Sequence, residues 1–201
     1  AAADPALPKL ADSDAAAWST LSELFKGEGA LTALLRDHLI QRLVTQVDNL
    51  DKASVPPTAL AARPLPGSLQ VEQGEGGERI AAANAARYAP YVHAFTALDP
   101  ASAAMAYKRF YPLIQQAYVD LGKPDGYFND RLVSVIDHLL DTPELAQAPR
   151  VERDERGRYR FVDATLQSRS IGQKALLRMD AAQARAVKQQ LRAIRAAITH
   201  G

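Results

Sequence analysis

The sequence predicts a mainly α fold: a single-domain bundle of about six or seven helices with one small β-hairpin. Three observations carry this. Alanine supplies 38 of the 201 residues and arginine 17, both strong helix formers, while β-branched residues are sparse. Apolar residues recur at helical spacing through most of the chain. One stretch near Val151 alternates as strands do.

In chain order, residues 1–11 carry two prolines and no periodicity, and read as a flexible linker. Residues 12–200 read as the helical domain. Asp12, Ser13 and Asp14 are a helix start, because short side-chain oxygens accept the free N–H groups of a first turn. Trp18, Leu21, Leu24 and Phe25 follow at helical spacing, and Gly27 and Gly29 stop them. Leu31, Leu34, Leu35, Leu39, Leu43, Val47 and Leu50 predict a second helix, antiparallel to the first across a short link. From 53 to 77, prolines and glycines predict a loop, either pinned across the surface or disordered, with Ser68 to Gln73 as a short extended piece and Gly74 to Gly77 as a turn or mobile tip. Helix resumes near Ala82, with Pro90 in the first turn of a segment reaching Leu98.

Asp99 followed by Pro100 is a cap plus a first-turn proline, opening a helix to Leu121 that Pro112 should kink. Phe128 to Leu140 is a further helix, and Thr142 followed by Pro143 repeats the start signature. Residues 150–162 predict the hairpin: Tyr159 and Phe161 alternate with Arg158 and Arg160, and Arg156-Gly157 makes the turn. Ser170 with Gln173, and Asp180 with Gln183, are capping-box pairs. Val187, Leu191, Ile194 and Ile198 stripe the last helix.

Composition removes whole classes of chemistry. There is no cysteine, so no disulfide, thiolate metal site or cysteine nucleophile exists. Net charge is +1, so no global field draws the chain to nucleic acid or anionic membrane. No apolar run approaches the ~18 residues of a membrane span. No nucleophile elbow, metalloprotease helix or phosphate-binding glycine loop is present. We therefore expect no catalytic residues, no metal and no cofactor.

Two clusters remain as candidates. Tyr107, Tyr111 and Tyr118 fall within roughly 40° of one another on a helix. A buried tyrosine needs a partner for its hydroxyl, and Asn49, Asn84, Arg87, Tyr88, Asn129, Asp130 and Arg131 are the polar candidates. They form either an open pocket or a sealed network tying helices together. Arg87 is expected between a carboxylate, Asp130 or Asp137, and the tyrosine hydroxyls. The second cluster is basic. From Arg150 onward there are 12 basic and 5 acidic residues. Arg185, Lys188, Arg192 and Arg195 span about 80° of the last helix, either as an anionic-surface site or as a solvated flank.

Several runs then carry a resemblance: D-N-L at Asp48, N-x-x-R-Y at Asn84, Y-P-L-I-Q-Q-A-Y at Tyr111, L-G-K-P-D-G-Y-F-N-D-R-L at Leu121, I-D-H-L-L-D-T-P at Ile136 and Q-K-A-L-L-R-M at Gln173. In this order, over Ala11 to Ile198, the chain resembles the bacterial family known as domain of unknown function 3014. The resemblance implies a cell-envelope domain behind one N-terminal membrane helix and a Pro/Ala-rich linker, facing the periplasm. It carries no catalytic residue. The expected function is a non-enzymatic interaction or scaffold domain with a protein partner in the envelope. The alternatives are a small-ligand or enzymatic pocket at the tyrosine cluster and anionic-surface binding by the last helix. Nucleic acid is not the favoured partner, since that helix has no aromatic for base stacking.

Overall fold

The computed structural model describes residues 7–27, 29–56 and 60–199. Of the linker expected over residues 1–11, residues 1–6 lie outside the described residues; Leu10 opens a 3-10 turn at Leu10–Asp12 and is buried in the core. Among the described residues, eight α-helices and two short antiparallel hairpins follow one another, so the chain is mainly α. The order is α1 (Asp14–Leu24), α2 (Leu39–Asn49), β1 (Val71–Gly74), β2 (Gly77–Ile80), α3 (Asn84–Thr96), α4 (Pro100–Asp120) and α5 (Phe128–Leu140). Then come β3 (Val151–Arg153), β4 (Tyr159–Phe161), α6 (Ala164–Gln167), α7 (Ile171–Arg178) and α8 (Ala181–Thr199).

The second helix begins later than its leucines imply. Gly29–Leu31 forms a single 3-10 turn, and His38 takes a left-handed φ of 52°. Between them the backbone pairs with a distant segment: Leu35 N donates to Ala61 O at 2.9 Å and Arg63 N to Ala33 O at 2.7 Å. Leu34 and Leu35 therefore serve a bridge rather than a helix. Asp14 does not cap its own helix. Its carboxylate accepts from His38 N at 2.9 Å and Leu39 N at 2.8 Å, closing the N-terminus of α2 instead.

The glycine-rich tip is a hairpin turn, with Val71 opposite Ile80 and Gly74 opposite Gly77. Gly76 and Gly77 hold φ values of 81° and 123°, open to glycine at little cost. Ile80 N donates to Pro149 O at 3.2 Å, setting β2 beside β3. Pro90 lies mid-helix in α3 rather than in a first turn. It is exposed, as is Ala86, whose carbonyl loses its helical donor to the ring and is left to solvent.

Asp99 caps α4 as expected, accepting from Ser102 N at 2.8 Å. Thr142 starts no helix. Its hydroxyl donates to Leu139 O at 2.6 Å and finishes α5. Ser170 and Asp180 accept from the amides of Gln173 and Gln183. The glutamines do not reach back as a full box would; they donate to His138 O and Ala85 O and tie helices together.

Among the described residues, four apolar clusters make the core. The largest joins α1, α2, α4 and the start of α5 through Ala17, Leu39, Val44, Phe110, Leu113 and Phe128. A second packs α4, α5 and α8 around Ile136 and Ile198. A third sets Leu176 of α7 against Val135 and Leu139. The hairpins close over Leu166 and Leu177 through Ile80, Val151 and Phe161, the cover two short hairpins need.

Candidate functional site

The residues proposed as one polar cluster separate into two. The first joins α2 to α5. Arg131 donates from Nε to Asp48 Oδ1 at 2.7 Å, from Nη2 to Asp48 O at 2.6 Å, and from both terminal nitrogens to Asp51 at 2.7 and 2.8 Å. Lys123 adds a second cation on Asp48. Side-chain exposure is 14% for Arg131 and 11% for Asp48, so this is a nearly sealed clamp. Hydrogen bonds from Arg131 hold the Asp51 carboxyl at about 2. Burial pushes the Asp48 carboxyl up, yet the bonds from Lys123 and Arg131 outweigh it and leave it below the usual range.

The tyrosines pack beside this clamp. Tyr107 donates to Asn129 Oδ1 at 3.3 Å and Tyr111 to Gln115 Oε1 at 3.1 Å. Tyr118 is buried edge-on against Phe128, 5.5 Å between ring centres. Gln115 also accepts from Phe128 N at 2.8 Å, capping α5. Burial, with the charge of Asp130 and the Tyr111 ring nearby, pushes the Tyr107 hydroxyl well above the usual range. Asn49 turns back on its own helix, donating to Thr45 O at 2.7 Å.

Asn84, Arg87 and Tyr88 lie elsewhere, on α3. Arg87 does not meet Asp130, Asp137 or a tyrosine hydroxyl. It donates to Asn84 Oδ1, Pro66 O and Gly67 O at 3.2 Å each. Asn84 is buried and stitches α3 to the segment before β1, exchanging two bonds with Gln70.

The basic flank of α8 is also divided. Lys188 is 5% exposed, with its Nζ donating to Thr142 O. Arg195 is paired with Asp137 at 2.6 Å. Arg185 and Arg192 remain exposed. The helix packs against α3, α4 and α5, so its basic arc cannot all face solvent.

The accumulated positive charge surfaces instead in a groove of about 740 Å³ between α3, the β3–β4 turn and the end of α7. Arg87, Arg153, Arg158 and Arg178 line it, and no aspartate or glutamate does. Tyr88, Tyr91 and Phe95 follow one another along α3 at helical spacing, and Tyr159 faces them from the hairpin. Three of the arginines are held in place. Arg153 stacks on Tyr159 at 4.3 Å and donates to Gly157 O; Arg158 pairs with Asp154; Arg87 is fixed as above. Arg178 lies 5.7 Å from the Phe161 ring and makes no hydrogen bond among the described residues. Burial pulls its guanidinium below the usual arginine range.

The matched span settles the family. A model described as protein of unknown function (DUF3014) covers residues 39–195.

This chain is a DUF3014 protein.

No curated protein and no solved structure matches it. Within this DUF3014 chain, every groove-lining element lies inside the matched span. Among the described residues, no three histidine, aspartate or glutamate side chains gather as metal ligands. His138 meets Ser170 Oγ at 2.9 Å, but Ser170 is buried and its oxygen caps α7. Sequence reading missed Tyr91, Phe95, Arg153, Arg158, Tyr159 and Arg178 as site residues. The signal for the three arginines was the basic excess after Arg150, which belongs more to the hairpin and α7 than to the last helix; Tyr91 and Phe95 carried only the helical spacing that Tyr88 begins.

Proposed function

We propose that this DUF3014 chain is a non-enzymatic interaction domain of the bacterial envelope. Its recognition surface is the arginine–tyrosine groove, and its partner is a protein presenting an acidic segment with apolar or aromatic neighbours. The observation that supports this reading is Arg178, a partly buried guanidinium without a hydrogen bond among the described residues, in a groove whose described lining contains no acid. Guanidinium groups bind carboxylates bidentately, and rings beside them hold the apolar part of the same segment. The hairpin edge does not offer strand pairing there, because Phe161 N already donates to Gln167 Oε1 at 2.9 Å. Recognition thus runs through side chains. The envelope placement follows from the family resemblance and fits a chain without cysteine.

The test is fluorescence anisotropy with a labelled Glu/Tyr peptide. Saturable binding should weaken as salt rises. Arg178→Gln should weaken it about tenfold or more, the worth of a charge-assisted bond. Equal affinity for wild type and Arg178→Gln would sink the groove reading. Protease added to intact spheroplasts should degrade the domain; full protection would remove the envelope placement.

A further inference from the structure

A second hollow shares Arg178 and Met179 with the groove. It occupies about 240 Å³ between the end of β2, α7, α8 and the strap that links α5 to β3. Leu176, Leu177, Ala81 and Ala184 make much of its wall apolar. Lys188 also lines it, 5% exposed. Its ammonium donates to Thr142 O, and no carboxylate of the described residues stands within ion-pair distance.

The Thr142 carbonyl lies just past the end of α5, where the helix dipole is negative and a cation is favourable. That contact accounts for one of three N–H donors. A buried charge is costly unless its remaining donors are met. We infer that this cavity is a binding site for a small monocarboxylate with a short apolar body, held by Lys188 with the hydrocarbon end against Leu176, Leu177 and Ala184. Size and charge select the class. The volume is below the roughly 300–1,000 Å³ of a drug-sized pocket. Glu72, Glu144 and Asp180 border the same hollow with Arg178, Arg185 and Lys188, so three acids stand against three cations and a polyanion gains no net attraction. This site is independent of the groove reading, although Arg178 borders both hollows.

Butyrate is the probe, followed by amide chemical shifts of the whole chain. Butyrate should produce saturable shifts at Ala81, Thr142 and Ala184. Lys188→Met should abolish them. Ala184→Leu should abolish them too, because it fills the hollow without touching the ammonium; it decides the matter if Lys188→Met does not fold. Arg158→Gln, in the groove alone, should leave them unchanged while weakening the Glu/Tyr peptide. Shifts that do not saturate, that persist in Ala184→Leu, or that inorganic phosphate produces and butyrate does not, would overturn the assignment.

Discussion

Arg131 and Arg87 show what a side chain's identity conveys and what it withholds. Both were expected in a cation–carboxylate–tyrosine network, and only Arg131 found carboxylates. Nothing local distinguishes them: the partners of Arg131, Asp48 on α2 and Asp51 just past its end, lie about 80 residues earlier. Removing Arg131 leaves Asp48 and Asp51 short of their shared partner in a mostly buried place. Arg131→Met should cost about 3–5 kcal/mol, read as a lower urea midpoint at unchanged slope. Arg87→Ala removes bonds to two carbonyls and one amide, so it should cost only about 1 kcal/mol. Similar midpoints for the two variants would contradict this division. The clamp also sets an acid limit. The Asp51 carboxyl is depressed to about 2 from an unfolded value near 3.9. Its stabilisation is therefore fully present above about pH 4 and is lost as pH falls through about 2. Asp51→Asn should flatten stability against pH across that window; an unchanged acid limb would show the pair contributes nothing.

At the scale of elements, the signals that held were those whose cause is local. Asp99-Pro100 opens α4 because cap and proline act within one turn. Tyr159 and Phe161 form a strand because their alternation suits one covered face. The start of α2 escaped prediction because it depends on Asp14 and on the pairing of Leu35 with Ala61, both over 20 residues away. The first hairpin escaped because only Val71 and Ile80 at its base carry an apolar signal. Gly172 shows another long-range constraint. A Cβ there would stand 2.5 Å from Leu139 Cδ2 and 2.8 Å from Leu50 O, while its amide donates to that carbonyl at 2.9 Å. The approach of α7 to α5 and the end of α2 thus requires a bare backbone. Gly172→Ala is usually favourable in a helix; here overpacking should make it destabilising by about 1–3 kcal/mol, measurable as a lower thermal midpoint. A raised midpoint would mean that α7 is free to shift.

Across the whole molecule, the candidate site was legible in its ingredients and not in its assembly. Tyrosine, arginine and an excess of basic charge were all visible. Grouping them required knowing that α3, the β3–β4 turn and α7, separated by up to about 90 residues, share one groove. The same fold divided the tyrosine stripe of α4 from Arg87 and buried Lys188 within an otherwise basic arc. Charge segregation along the chain thus became a local field rather than a charged helix. With net charge +1, attraction to the groove is confined to within about a Debye length of its mouth. The association rate of the acidic peptide should accordingly fall as salt is raised, while dissociation changes less. A salt-independent association rate would argue that the groove does not steer its ligand.

The capping of α2 by Asp14 also bears on how this family's repertoire is cut and compared. The stretch shared with the family opens at Leu39, the residue whose amide Asp14 holds. A fragment trimmed to that stretch would lose the cap and bare the face that Leu10 and Ala17 cover. The portion recognisable between relatives is thus smaller than the portion that closes the core here. Residues 39–199 expressed alone should bind a hydrophobic dye that the longer chain leaves in solution, and supplying residues 7–38 as a separate peptide should reverse it.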